Sequence, residues 1–212
     1  MHRCSILLLM FSNSLFCQLR INNSQVEKLC FELHNKERDS TKPRTMNMDC
    51  KKAADFQMKY LMLNDIVSHQ NKTAGYEKPI NRFEKFMSEK VSVKDRNNPK
   101  LLHHQLMYEY TGEIIGWTYG HKFKNDSLLE FNIAQHILNG FINSPSHYHI
   151  MVSMTCCNFE EIGYFSTNIE VLEYNEVSKE CTLEIHCVAI FGSKYPFKDT
   201  YVYDPSTGKW ID

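Results

Sequence analysis

Apolar residues recur at Val26, Leu29, Cys30 and Leu33, the i, i+3, i+4, i+7 spacing of an amphipathic helix, here predicted from about Ser24 to Asp39. Ser24 suits its start, with Glu27 three residues on completing a capping box, and Thr41-Lys-Pro43 closes it. A second helix is predicted from about Asp49 to Asn64. There Ala53, Phe56, Tyr60 and Leu63 interleave with Ala54, Met58, Leu61 and Met62, so apolar residues cover much of the circumference and predict burial between layers. Beyond Gly75 and Pro79 a short helix runs from Ile80 to Glu89. Residues 90 to 111 show no clear period, although Asn97-Asn-Pro99 marks a turn. Helical spacing returns from Asp126 to about Phe141, with Leu129, Ile133 and Ile137 near one face, and Ser144-Pro145 breaks it.

The last third changes period. Glu161 to Phe165, Ile169 to Tyr174, Thr182 to Phe191 and Thr200 to Tyr203 read as strands, with turn chemistry at Tyr174-Asn175-Glu176 and Asp204-Pro-Ser-Thr-Gly208. Helices early and strands late predict an α+β fold, a sheet covered by helices. No repeat or interdomain linker divides the chain, and 212 residues suit one domain, predicted over residues 18–212.

His2 and Arg3 precede the apolar run Ile6-Leu-Leu-Leu-Met-Phe11, and Cys17 is followed by the polar Gln18, so residues 1–17 read as a secretory signal peptide. A spanning helix needs roughly 20 predominantly apolar residues, and Asn13 interrupts this one. With no second long apolar run, the mature chain is expected to be secreted and extracellular, with no transmembrane segment. Lys plus Arg is 24 and Asp plus Glu is 25, well mixed along the chain, which argues against nucleic acid as a partner.

Export sets the reading of the cysteines. Of the eight, Cys4 and Cys17 leave with the signal, and Cys30, Cys50, Cys156, Cys157, Cys181 and Cys187 become disulfide candidates of open connectivity. An extended segment from 181 to 187 separates its two sulfurs by roughly 20 Å, too far to pair. Cys156 and Cys157 would then reach toward Cys181 or Cys187, and Cys30 and Cys50 would join the first two helices. No Cys-x-x-Cys supports a zinc site instead. Asn22, Asn71 and Asn125 head sequons and are the glycosylation candidates, whereas Asn143 is followed by Ser-Pro and is not.

The candidate chemistry lies in Ser68-His69, Thr111-Gly112-Glu113, Phe141-Ile-Asn-Ser-Pro-Ser-His147 and His186. Imidazoles and a carboxylate gathered in one cleft can hold a divalent metal or move protons. The order of these pieces resembles that of the CAP superfamily, the SCP-like domains of cysteine-rich secretory proteins, antigen 5 and plant pathogenesis-related proteins. Leu33-His-Asn35-Lys-Glu-Arg38 is similar to the opening helix of these domains, and Asn81-Arg82-Phe83 to a short helix of the bacterial-like branch. Phe141 to His147 resembles that branch's Trp-x-x-Ser-Pro-x-His motif. Ile114, Phe141 and Tyr148 depart from the usual Asn, Trp and Arg, and Ser144 stands where plant and animal members carry a second cleft Glu.

The resemblance implies an α-β-α sandwich with a mainly antiparallel central sheet. It also implies a cleft lined by His69, Glu113, His147 and His186, with Ser144 as a neighbour. Zn²⁺ or another divalent cation is the cofactor it suggests, and an extracellular protein or a lipid or sterol the partner. The function implied is an extracellular binding module. A metal-dependent hydrolase or protease using the same cleft is one alternative, its metal and a nearby Glu activating water, or Ser144 beside His147 serving as a nucleophile pair; an interaction protein with a vestigial cleft is another. His103-His104 and His149 read as solvent-facing, and His34, His121 and His136 as surface or satisfied helix residues. Trp117 and Tyr119 alternate as core residues of a half-buried strand would, or else as an aromatic cleft wall.

Overall fold

The computed structural model describes residues 19–38, 42–88, 108–153, 160–194, 202–204 and 209–211. The signal-like segment, His103-His104, Cys156 and Cys157 lie outside the described residues. Helix α1 (Asn23–Glu37) leads into the two-residue strand β1 (Thr45–Met46), then helices α2 (Met48–Asn64) and α3 (Pro79–Ser88). A 17-residue strand β2 (Tyr108–Lys124) precedes α4 (Leu129–Ile142) and α5 (Pro145–Val152). The hairpin β3 (Glu160–Asn175) and β4 (Glu180–Lys194) follows, then a small ribbon of β5 (Val202–Asp204) and β6 (Lys209–Ile211).

The main sheet has the order β1-β3-β4-β2. β4 pairs antiparallel with both β3 and β2, whereas β1 runs parallel to β3. The chain is therefore α+β, and its sheet is mixed. The parallel pair arises because the link from α1 into α2 crosses the sheet edge as a short strand, held where the Asn47 N–H donates to the Gly163 carbonyl.

Alternation along the strands divides the core. Ile114, Phe165, Leu183, Ile185, Cys187 and Phe191 pack with α1 and α4 on one face. Ile115, Ile162, Tyr164, Val188 and Ile190 pack on the other beneath Ala53, Ala54, Met58 and Leu61 of α2 and Phe83 of α3. The α2 helix thus buries one face and leaves Leu63 exposed, rather than being enclosed all round.

Several expectations change. Asn22, two residues before the expected cap, accepts from the Gln25 N–H and starts α1. Glu27 leaves the helix surface instead of closing a capping box: it is buried, accepts from the Thr167 N–H at 3.0 Å and lies 3.3 Å from the Tyr164 hydroxyl. A strand precedes the fourth helix, because residues 108–124 find a full antiparallel partner in β4. Pro145 starts a new helix at its first position, where a missing N–H costs nothing. His147 and His149 are therefore helical.

Among the described residues Cys30, Cys50, Cys181 and Cys187 are free, buried thiols. Cys30 and Cys50 cannot join α1 to α2, since they enter the cores on opposite faces of the sheet. Asn71 is only 2 % exposed; its amide donates to Gln57 and its carbonyl oxygen accepts from the Thr73 N–H. That leaves no room for a glycan in the folded chain. Asn22 is exposed, and the Asn125 amide donates to the Tyr174 hydroxyl. His34 is fully buried, its ring stacked on Phe191 at 4.8 Å.

Candidate functional site

The site begins with a bulge. Between Tyr110 and Gly112 the register of β2 against β4 shifts by one residue, so Thr111 is extra. Without that shift Glu113 would follow the alternation set by Tyr110 and face α4; with it, the carboxylate points under α3. Arg82 comes from α3, where it shares a side with Phe83, Phe86 and Met87, and both Arg82 and the Glu113 side chain are fully buried. One guanidinium nitrogen, Nη2, lies 2.7 Å from each Glu113 carboxylate oxygen.

His69 closes the other side of the carboxylate, with Nδ1 3.0 Å from Glu113 Oε1. The loop that carries it is pinned twice. Gln57 of α2 donates to the Ser68 carbonyl at 2.7 Å, and Arg82 donates to the carbonyls of His69 and Tyr76. An ionised Glu113 can only accept, so Nδ1 of His69 is the donor, and in the neutral ring that leaves the Nε2 lone pair free. The ring is 46 % exposed, while the groups that orient it are buried.

His147 reaches the same region from α5. Two glycines allow the approach: a Cβ on Gly112 would collide with Ile150 of α5, and one on Gly116 would sit 2.9 Å from the Phe141 ring. His147 rests edge-on against Phe141 at 5.4 Å. Burial first, and the neighbouring His69 second, hold its imidazole below the usual pKa, so it is neutral at pH 7.

The end of α5 is anchored from the far side. Arg38 and Arg44, both without solvent exposure, donate to the carbonyls of Met151 and Ser153. Cations at a helix C-terminus satisfy its last carbonyls and complement its dipole. Asn35 locks Arg44 in turn, exchanging two hydrogen bonds with its backbone. Asn35 near the end of α1 and Arg38, which caps it, thus help to position the short helix that carries His147.

His186 lies elsewhere. It faces the α2 side of β4, but Glu113 is paired with Ile190, four residues further along the strand, roughly 13 Å away. The His186 Nε2 is 3.0 Å from Glu184 Oε1. The Ser144 hydroxyl meets that of Ser146 at 3.4 Å, and among the described residues no hydrogen bond joins it to His147. Among the same residues no group of three or more His, Cys, Asp or Glu side chains is placed to hold a metal ion.

Arg82 and Gln57 are the parts of this site that sequence reasoning did not assign. A cation within the apolar stripe of α3 was the available signal, since a buried charge requires a partner. Trp117 and Tyr119 also depart from expectation: both are exposed, and neither belongs to the core.

No family model matches the chain, and no curated protein matches it. Among solved structures it is similar to an outer surface protein from Borrelia burgdorferi, at 13% sequence identity and a TM-score of 0.45, over 84% of this chain and 98% of that one.

Proposed function

We propose that this chain is a secreted binding module of the CAP type, an α-β-α sandwich whose ligand meets His69 and His147. The observation that carries the reading is the His69–Glu113–Arg82 arrangement. A buried ion pair fixes the tautomer of a half-exposed imidazole and presents its Nε2 lone pair outward. Helices packed on both faces of the sheet and the ordered set of sequence motifs support the same assignment.

A divalent cation such as Zn²⁺ is one ligand class for this pair. It would draw on the His69 and His147 imidazoles, with Glu113 orienting His69 from behind. Three protein ligands is the common number in open zinc sites, so two imidazoles favour an ion completed by the bound molecule. A lipid, sterol or protein group would meet the same atoms as hydrogen-bond acceptors. Binding is favoured over hydrolysis because Glu113 is neutralised by Arg82, and among the described residues no base is hydrogen-bonded to Ser144.

Thermal unfolding with Zn²⁺, and separately with a fatty-acid and sterol panel, tests this reading. A ligand of the native state raises the midpoint. The wild-type chain is expected to gain stability that His69→Ala with His147→Ala abolishes; equal midpoints with every ligand would overturn the reading.

A further inference from the structure

Beyond the C-terminal end of α2 the sheet continues, among the described residues without a helix over its α2 side, and the register sets six side chains there in two rows. Trp117, His186 and Asn168 are partners across β2, β4 and β3; Tyr119, Glu184 and Glu170 form the next row. All six point to one face, because each pair on a strand is two residues apart. Trp117 is 54 % exposed and Tyr119 65 %, with ring centroids 6.3 Å apart.

The polar groups place two carboxylates on this face, one of them paired with an imidazole. Glu184 Oε1 accepts from the Trp117 indole at 2.9 Å and faces His186 Nε2 at 3.0 Å; Glu170 Oε1 accepts from the Asn168 amide at 3.3 Å. Their carboxylates stand directly opposite each other on neighbouring strands, where like charges destabilise a sheet. Among the described residues neither has a Lys or Arg within ion-pair distance, although Lys122 lies on the following row of the same face. The Trp117 hydrogen bond, then His186, hold the Glu184 carboxyl below its ordinary range, so protonation does not relieve the repulsion at neutral pH.

We propose that this face is a docking surface for an arginine-bearing segment of a partner protein. A guanidinium is planar, stacks on an indole and offers a fork of donors to carboxylates, which is the complement of Trp117 with Glu184 diagonally beside it on β4 and Glu170 on the strand beyond. The two rings are inclined at 50° on an open face and form no cage, so the surface suits a segment lying across the strands. Met62, which accepts from Asn168, brings the end of α2 to the rim, and the exposed Ile66 and Val67 follow it in the chain. This surface is separate from the His69 cleft and stands or falls independently of it.

The chain has two tryptophans, Trp117 and Trp210, so Trp210→Phe leaves Trp117 as the sole indole. A capped tetra-arginine peptide titrated into that variant should quench its fluorescence saturably, and a neutral capped peptide should not. Adding Glu170→Gln and Glu184→Gln should weaken the arginine peptide by about tenfold or more while leaving the thermal midpoint unchanged or higher. Unchanged affinity in that variant, or equal binding of the neutral peptide, would overturn the proposal. Stronger binding of phosphatidylcholine vesicles than of the arginine peptide would overturn it too.

Discussion

Arg82 holds Glu113 through a single nitrogen that lies 2.7 Å from both carboxylate oxygens, and neither side chain touches solvent. Such a pair contributes little net stability, because desolvation offsets attraction, yet breaking it is costly. Its value is positional, since the same carboxylate sets the tautomer of His69.

Arg82→Met should leave Glu113 as a buried charge facing only an imidazole and destabilise the chain by about 3–5 kcal/mol. Adding Glu113→Gln should recover part of that loss. Urea unfolding of the two variants measures both effects; equal stability of Arg82→Met and wild type would contradict the pairing.

Stability should fall as the medium is acidified below neutrality. Burial, then Arg44 and Arg38, hold His34 well below its ordinary pKa; burial followed by another histidine lowers those of His136 and His147. Between the depressed folded value and the unfolded value of about 6.5, the unfolded chain binds more protons, so this stability is present above about pH 7 and lost below it. His34 Nε2 lies 3.1 Å from Arg44 Nη1, which can only donate, so the ring must stay an acceptor. His34→Gln keeps an acceptor and should flatten the decline between about pH 7 and 5.5; an unchanged slope would exclude His34 as its source.

Cys30, Cys50 and Cys187 are fully buried, and burial raises their thiol pKa values, as it does for Cys181. Because the thiolate is the reactive form, iodoacetamide at pH 7.5 should spare all four in the native chain and modify all four in denaturant without reductant. Mass spectrometry reads both states. Protection that persists in denaturant would mean disulfides.

Glycan mapping of exported protein should find Asn22 occupied and Asn71 bare. Asn22 caps α1 from the surface, whereas the Asn71 amide is buried against Gln57. A glycan on Asn71 would contradict the packing of that loop.

The fold class and most helices were legible because hydrophobic period is a local signal. The second helix emerged within one residue of its expected start. What escaped depends on distant partners. Glu27 has the spacing of a capping box, yet Thr167 and Tyr164, far along the chain, recruit its carboxylate. Strand β2 lacks clear alternation at its start because the bulge at Thr111 inverts it, and that bulge also decides where Glu113 points. Ser144-Pro145 ends one helix as expected, but the same Pro145 starts the next. The motif order suggested four converging residues. His69 and Glu113 meet directly and His147 approaches His69 from α5, while four residues of strand separate His186 from the partner of Glu113.

The most direct test of the central claim is the imidazole nitrogen NMR spectrum of His69 near pH 7.5, assigned by comparison with His69→Ala. The proton should be found on Nδ1, with an unprotonated Nε2 whose resonance moves when ligand or Zn²⁺ binds. A proton found on Nε2, with Nδ1 bare beside Glu113, would contradict it.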